Sequence, residues 1–412
     1  MSEWQEVRLG DVLDKIVGGG TPSKENPSYW DGGDIFWCSV KDMSDDKFRI
    51  LQTKDTITLD GLNNSSANLI PKGTVITATR MGLGRAFINE TDMAINQDLK
   101  ALIPNSNINN KYLLWTIILY RNYIEMLGNG ATVKGIRLET LKNIKINLPP
   151  LPAQQKIAKI LSNYDDLIEN NLKRIKLLEE SARLTYEEWF LRFRVDGKKL
   201  EIDPESSLPF EWKRLKVNDY VDTISKGPSL NYDLGESKGV QVLNQSCIRN
   251  GEIELDKVLI AKELNDNKKS SYLRINDILI NSMGQGTLGR VSKNVSIDEK
   301  MIIHNCITYL RAKDIYSQYM LFYFISSHKE YFESLAQGST GQSTLKKELV
   351  SNLLITLPDD KTINRYDLII SSAWNKIGAL KKQNKLLKEA RDILLPRLMT
   401  GMIDTDDMDI AV

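Results

Sequence analysis

Only two histidines, His304 and His328, and three cysteines, Cys38, Cys247 and Cys306, stand in a chain of 412 residues. Their scatter offers no Cys/His spacing of the kind that builds a zinc centre, while a site made of carboxylates alone is left open. Gly18-Gly-Gly-Thr21-Pro-Ser23 resembles a phosphate loop in its glycines but lacks the lysine that reaches the phosphates, and Lys226-Gly-Pro-Ser229 fails in the same way. Asn147-Leu-Pro149-Pro150 approaches the Asn-Pro-Pro-aromatic motif that holds an extruded adenine. A leucine interrupts it, and Leu151 stands where the stacking ring is needed. Pro358-Asp359-Asp360-Lys361 carries part of a nuclease pattern without a spaced acidic-x-Lys partner. Both segments read as strand-to-helix junctions. No catalytic constellation emerges, no metal site is assigned, and no ATP site is indicated.

The elements that carry these residues belong to an ordinary globular composition, 41% hydrophobic and 26% charged. No apolar run approaches the roughly 18–20 residues that span a bilayer. The opening MSEWQEVRLGD has neither the basic nor the apolar region of a secretory signal. Sparse, unpaired cysteines fit reduced thiols, so a cytoplasmic protein without a membrane partner is expected. The net charge is only +1. Residues 72–145 nevertheless hold ten cationic side chains against five acidic ones, a lean compatible with nucleic acid or with a solvated surface.

The chain is written twice. Trp4 and the Val-Arg-Leu that follows it recur as Trp212-Lys-Arg-Leu215, and Met93-AINQDLKAL-Leu102 aligns with Met301-IIHNCITYL-Leu310, in both cases 208 residues on. Gly130-Ala-Thr132 meets Gly338-Ser-Thr340 in the same register, and Leu148-Pro149 meets Leu357-Pro358 at 209. Each half opens with short strands and loops. Residues 73–79 and 277–281 read as strands followed by glycine turns at 81–84 and 283–289. Helices are expected over 111–127 and 318–335, then Gly-rich loops at 128–135 and 337–343 and a last strand before the prolines. The body is α+β.

Each half closes on a long helical pattern. Ile157, Leu161, Tyr164, Ile168, Asn171, Ile175, Leu178, Ala182, Thr185 and Trp189 recur at alternating spacings of four and three, the seam of a coiled coil. The second seam is Tyr366, Ile370, Ala373, Ile377, Leu380, Asn384, Leu387, Arg391, Leu394 and Leu398. Each contains one asparagine, which either fixes register from a buried position or faces solvent. Pro152 marks the start of the first helix, and Pro396 and Gly401 mark the end of the second. The domain limits expected are 1–150, a helix over 151–195, a polar linker over 196–211, a second body over 212–358, a helix over 359–401 and a loosely ordered acidic tail over 402–412.

At this point the sequence resembles the specificity subunits of type I restriction–modification systems. The resemblance covers nearly the whole chain. It rests on Trp4-x3-Arg8-Leu9-Gly10-Asp11, the loop 18–23, Gly73-TVITATRMGLGR-Arg85, Asn96-Gln97, and the block from Gly128 through LPPLPAQQKI to Ile157. In the second half it rests on Trp212, the glycine turn, Gly338-Ser-Thr340 and the closing Leu395-Pro-Arg-Leu-Met-Thr-Gly401. Leu357-Pro-Asp-Asp-Lys361 departs from the first copy's LPPLPxQ and clouds that junction. The resemblance implies two similar target-recognition domains with small mixed or antiparallel sheets, separated by two long antiparallel coiled-coil helices in a pseudo-two-fold repeat. Each domain reads one half of a bipartite site in double-stranded DNA. The seam from Ile157 to Trp189 would measure about 48 Å, against about 34 Å for a duplex turn, so helix length becomes a ruler for the unread gap. Methyltransferase subunits dock around this spacer and a motor-nuclease subunit joins them. S-adenosylmethionine, ATP and magnesium are expected on those partners and no cofactor on this chain.

Loops rather than strand interiors are expected to meet DNA. Arginine can grip guanine bidentately, and asparagine or glutamine adenine. The candidates are Thr21, Ser23, Arg80, Arg85, Thr132 and Lys134 in the first copy. In the second they are Ser229, Asn231, Asn281, Gln285, Arg290, Thr340, Gln342 and Lys346. Gly82, Gly84, Gly284 and Gly286 are expected to serve the turns. Two other classes remain open from the residues alone: a stand-alone regulator with duplicated DNA-binding domains, and an enzyme whose site is unrecognised.

Overall fold

The computed structural model describes residues 4–45, 47–130, 134–230, 239–249, 251–261, 271–284, 286–313, 316–334 and 344–405. The chain divides into two compact units, Met1–Asn170 with Asn384–Val412, and Asn171–Gln383. The division runs through both long helices, so each unit holds one body and a half of each helix. The starts of the helices, Leu151 and Asp360, adjoin the body limits expected at 150 and 358.

The first body has two small sheets. One runs Leu13–Gly18, Leu99–Pro104, Val75–Ala78, Ala86–Asn89 and Arg49–Ile50; the other runs Asp55–Ile57, Ile35–Cys38, Met93–Ile95 and Leu69–Ile70. Both are mixed: Arg49–Ile50 lies parallel to its neighbour and Ile35–Cys38 parallel to Met93–Ile95, while the other pairings are antiparallel. Between the sheets lies a core of Cys38, Ile76, Phe87, Met93, Ile95 and Leu99. The second body repeats this plan with Val221–Lys226, Ile307–Ala312, Ile278–Asn281 and Val291–Lys293 in one sheet. Leu259–Ala261, Val240–Leu243 and Met301–Ile303 form the other. In each body the first strand pairs with the last, Gln5–Arg8 with Lys145–Leu148 and Lys213–Lys216 with Leu354–Leu357.

The helix expected over 111–127 is two, Asn110–Leu119 and Arg121–Leu127, broken where Tyr120 turns to ψ 5°. Asn109 caps it by accepting from the Lys111 and Tyr112 amides, and Tyr112 through Ile117 are all buried. A helix buried on all sides over six successive residues is held by its surroundings rather than by an apolar stripe. Ser317 caps the equivalent Gln318–Ser327.

The long helices are Leu151–Tyr186, 36 residues, and Asp360–Met399, 40 residues. Gln154, inside LPPLPAQQ, is buried: it accepts from the Asn109 amide at 2.7 Å and donates to the Asn107 and Pro149 carbonyls at 3.0 and 2.8 Å. The departing junction of the second copy reaches the same end differently, with Asp359 accepting from Trp212 Nε1 at 3.1 Å and from the Thr362 amide at 2.9 Å. Pro396 stands inside the last turns of the second helix rather than at its end.

The seam is buried as its spacing requires. In the first unit Ile157, Leu161 and Ile168 lie under 6% exposed, with Asn384 at 6%, while Leu387 and Leu394 are half-buried. In the second, Asn171, Ile175, Ile377 and Leu380 are buried and Leu178 is half-buried. Neither asparagine faces water. Asn384 Nδ2 donates to the Ile168 carbonyl at 3.4 Å in the first unit, and Asn171 Nδ2 to Gln383 Oε1 at 3.1 Å in the second. Within the first unit residue 165 meets 391 and 168 meets 384, so the helix halves run antiparallel.

Two expectations change. The stretch 196–211 is not a plain linker: Arg194–Val195 pairs with Lys198–Lys199 and Ile202–Asp203 with Leu208–Pro209. Its turns need left-handed backbone at Asp196, Gly197 and Ser207, which its Asp, Gly and Ser supply. The tail is anchored as far as Thr405, which is buried and whose carbonyl accepts from Lys156 Nζ at 3.0 Å.

Candidate nucleic-acid interface

In the first body the turn Asn96-Gln97-Asp98 joins strands Met93–Ile95 and Leu99–Pro104. Asn96 Nδ2 donates to Asp98 Oδ2 at 3.3 Å and its Oδ1 accepts from the Asp98 amide at 3.1 Å. The turn is thereby braced, with Gln97 exposed at its tip. The loop 18–23 is pinned against it. Gly20 donates its amide to the Ile95 carbonyl at 3.0 Å, and a Cβ on Gly19 would fall 1.9 Å from that same oxygen. Only glycine fits there. Thr21 Oγ1 then donates to Gln97 Oε1 at 2.5 Å.

Cations gather at this end. Lys100 Nζ donates to the carbonyls of Gln97 and Leu99 at 2.7 and 3.0 Å. Burial lowers its pKa below the usual lysine range, with Asp98 opposing the shift and Arg80 adding to it. Arg80 stands 3.6 Å from Asp98 with its side chain half in solvent. Its backbone bridges Gly135, and the Ile136 amide donates to the Thr79 carbonyl at 3.0 Å. The Gly-rich loop therefore returns to the same end and leaves Lys134 exposed.

The second body repeats the arrangement with other residues. His304-Asn305-Cys306 joins Met301–Ile303 to Ile307–Ala312. A Cβ on Gly227 would fall 1.7 Å from the Ile303 carbonyl oxygen. Asn305 Nδ2 donates to Ser229 Oγ at 2.6 Å. The Leu345 amide donates to the Ser282 carbonyl at 2.9 Å, the counterpart of Ile136 and Thr79. His304 Nδ1 lies 3.1 Å from Cys306 Sγ, yet burial lowers the histidine and raises the thiol. That is the reverse of an activated thiolate.

The structure sorts the candidates. Thr21 and Ser229 fall at equivalent points, each tied to the amide of its turn. Ser23, Arg80, Lys134 and Lys346 are exposed. Arg85 is engaged internally, its Nε 2.7 Å from Asp45 Oδ1, a carboxylate it shares with Arg121 at 2.9 Å. Arg290 donates to the carbonyls of Ile248 and Gly286 at 3.4 and 2.8 Å. Asn281 is a correction. It ends the strand Ile278–Asn281, as expected, but is fully buried there with its Nδ2 donating to the Gln245 carbonyl at 2.9 Å, so it does not face DNA. Thr132, Asn231, Gln285, Thr340 and Gln342 lie outside the described residues. Gly82, Gly84, Gly284 and Gly286 have φ of 120°, 73°, 104° and 72°, as their turns require. Sequence reasoning gave Gln97, Asn305, Lys100 and Lys226 no place among the DNA-facing residues, although the 208-residue register aligns Gln97 with Asn305. Among the described residues no group of three or more His, Cys, Asp or Glu could hold a metal ion, and no helix is long and apolar enough to cross a membrane.

A family model for the type I restriction modification DNA specificity domain matches residues 1–180 and again 209–389. The chain is 28% identical over 418 residues to the type I restriction enzyme MjaIX specificity subunit of Methanocaldococcus jannaschii, spanning 98% of this chain and 95% of that protein. It is 34% identical over 172 residues to the type I restriction enzyme EcoR124I/EcoR124II specificity subunit of Escherichia coli, covering 40% and 41% of the two chains. A crystal structure of a type I restriction–modification S subunit from M. genitalium matches with a TM-score of 0.58 over 97% of this chain and 96% of that one. At 15% identity the match speaks for a common fold.

Proposed function

The chain belongs to the type I restriction–modification DNA specificity family, and from that premise we propose that each of its bodies reads one half of a bipartite site in double-stranded DNA. Membership in the family sets aside the stand-alone regulator and the unrecognised enzyme. The observation that carries the reading is the duplicated end, where in each body a glycine loop and a turn meet and a later segment returns through the Ile136 amide to Thr79 or the Leu345 amide to Ser282. Thr21, Ser23, Arg80, Lys134, Ser229 and Lys346 are its DNA-facing residues. A net charge of only +1 is compatible with DNA binding when partner subunits supply part of the phosphate neutralisation.

The helices act as the spacer, about 54 and 60 Å long at 1.5 Å per residue. They also serve as the dock for methyltransferase subunits. Leu177 and Leu184, a heptad apart on one helix and 67% and 41% exposed, support a partner there. Methylation and cleavage chemistry, with S-adenosylmethionine, ATP and magnesium, belongs to the methyltransferase and motor-nuclease partners in the cytoplasm, and this chain is non-catalytic. Replacing residues 212–357 with the corresponding domain of another family member tests the reading through the methylome of a host carrying the complete system. One half-site is expected to change while the other half-site and the gap stay fixed; changes in both halves would refute independent readers. Deleting seven residues from both helices is expected to shorten the gap alone.

A further inference from the structure

The two repeats agree on a polar cluster at this end of each body. An amide side chain sits at the tip of the same turn, tied to a hydroxyl of the same loop, and a lysine occupies the cross-strand position next to it. Gln97 and Asn305 are one repeat apart, as are Thr21 and Ser229. The lysines come from opposite strands. Lys100 faces Gly18 in the first body, with its Nζ 3.7 Å from where a Gly18 Cβ would stand, whereas Lys226 faces Thr308 in the second. The lysine of this cross-strand pair has thus changed strands, with glycine its partner in the first body and threonine in the second, yet one ammonium is retained. Two changes that cancel are hard to obtain by drift on a merely solvated surface; they follow if a cation is needed at that point.

Each tie leaves the amide's reading edge complete. Thr21 occupies one lone pair of Gln97 Oε1, so the second lone pair and both Nε2 hydrogens remain. Asn305 spends one Nδ2 hydrogen on Ser229, so the other hydrogen and the Oδ1 lone pairs remain. Exchanging amide oxygen and nitrogen changes nothing, because a hydroxyl both donates and accepts. One acceptor beside one donor is the complement of adenine N6 and N7 in the major groove. The glycine clamp at Gly19 and Gly227 fixes the loop beforehand, which lowers the ordering cost of binding.

Resting on the reading of the chain as a DNA specificity subunit, we propose that Gln97 and Asn305 are specificity-determining residues. Each reads one base, matched to adenine, in its own half-site, and Lys100 and Lys226 hold the accompanying positive charge beside the phosphate backbone.

The test uses the full chain assembled with its methyltransferase subunits and a selection from randomised duplexes. The wild-type complex must return a bipartite motif; its failure to do so overturns the underlying DNA reading. Gln97→Ala is expected to relax one position of one half-site by about 5- to 150-fold, and Asn305→Ala one position of the other, with the gap unchanged. Gln97→Glu keeps the bond from Thr21 but loses the amide donors, so preference at that position moves from adenine toward cytosine. Thr21→Val, which cuts the tie and keeps the amide, weakens binding without changing the base preferred. Lys100→Gln lowers the slope of log affinity against log salt by about one. A wild-type motif that persists unaltered in both alanine variants overturns the proposal while the family reading stands. So does a loss spread evenly over all positions. Because the two residues lie in separate units, either variant decides the matter if the other fails to fold.

Discussion

The same place in the two units, where the helix halves meet the body, is filled by opposite chemistry. In the first unit Asp165 and Arg391 form a largely buried ion pair at 2.7 Å, with Asp392 2.8 Å from the guanidinium and the Phe48 ring 4.8 Å beneath it. Counted from the helix starts, Leu151 and Asp360, the second unit has Trp374 where the first has Asp165 and Ala182 where it has Arg391. Trp374 there packs edge-on to Phe322 at 5.3 Å, within a core that includes Tyr186, Trp189, Phe190, Trp212 and Tyr366. One fold accepts charge plus countercharge or ring plus methyl. It requires filled volume at this point, not a particular polarity.

That equivalence can be broken most sharply by stranding one charge. Arg391→Ala leaves Asp165 without its guanidinium and is expected to destabilise the first unit by about 3–5 kcal/mol. Asp165→Leu combined with Arg391→Leu is expected to restore most of that loss. Trp374→Ala opens a cavity in the second unit at a cost of about 3–5 kcal/mol. Hydrogen exchange resolved by unit reads all three, and a double variant as weak as Arg391→Ala contradicts the equivalence.

The pH dependence should separate the units next. Lys293 is buried in the second unit, with its Nζ 2.6 Å from Asn276 Oδ1 and 4.5 and 5.0 Å from the rings of Tyr319 and Trp374. Burial pushes it down to about 7. The unfolded chain then binds the proton more tightly, so this residue raises the stability of the second unit as pH climbs from about 7 toward 10. Lys293→Met is expected to flatten that rise in denaturant titrations.

Asp165 has the contrary sign. Burial lifts it to about 6, although Arg391 pulls it downward. The folded first unit therefore holds its proton longer, and this contribution falls as pH rises from about 4 to 6. A first unit whose exchange protection is the same at pH 4 and 6, once Asp165→Leu with Arg391→Leu is subtracted, would contradict it. The smallest effects belong to the rims. Arg49 meets Asp166 at 2.6 Å in the first unit, and Lys381 meets Glu252 at 3.0 Å in the second. Arg49→Ala and Lys381→Ala are each expected to cost about 1 kcal/mol or less, because both pairs are partly solvated. A calorimetric loss several times larger would make these pairs structural.

Much of this architecture was legible because duplication supplies its own alignment. Strands Met93–Ile95 and Met301–Ile303, and helices starting at Asn110 and Gln318, fall at the 208-residue offset, and the seams were plain from apolar spacing. What escaped was decided by tertiary context. Asn281, offered as a DNA contact at the end of a strand, is fully buried there by the Gln245 segment packed against it. The polar stretch 196–211 folds into hairpins that local composition does not distinguish from a linker. Arg391 occupies a seam position as a charged residue, and its partner Asp165 lies outside the seam spacing. Gln97 was quoted within a motif without a role, since only the bond to Thr21 shows which way its amide is held.

The backbone approach at Gly19 and Gly227 has a bearing on how such a protein can change its target. No side chain can be added there without dislodging the strand beneath, so mutation at those two points yields broken readers rather than new ones. Novelty then has to come from neighbouring positions with room for a side chain, where substitution alters what is presented while the mounting stays put. A retargeting library would therefore freeze the glycines and diversify the exposed positions around them, the tips included, giving many addresses from one unchanging grip.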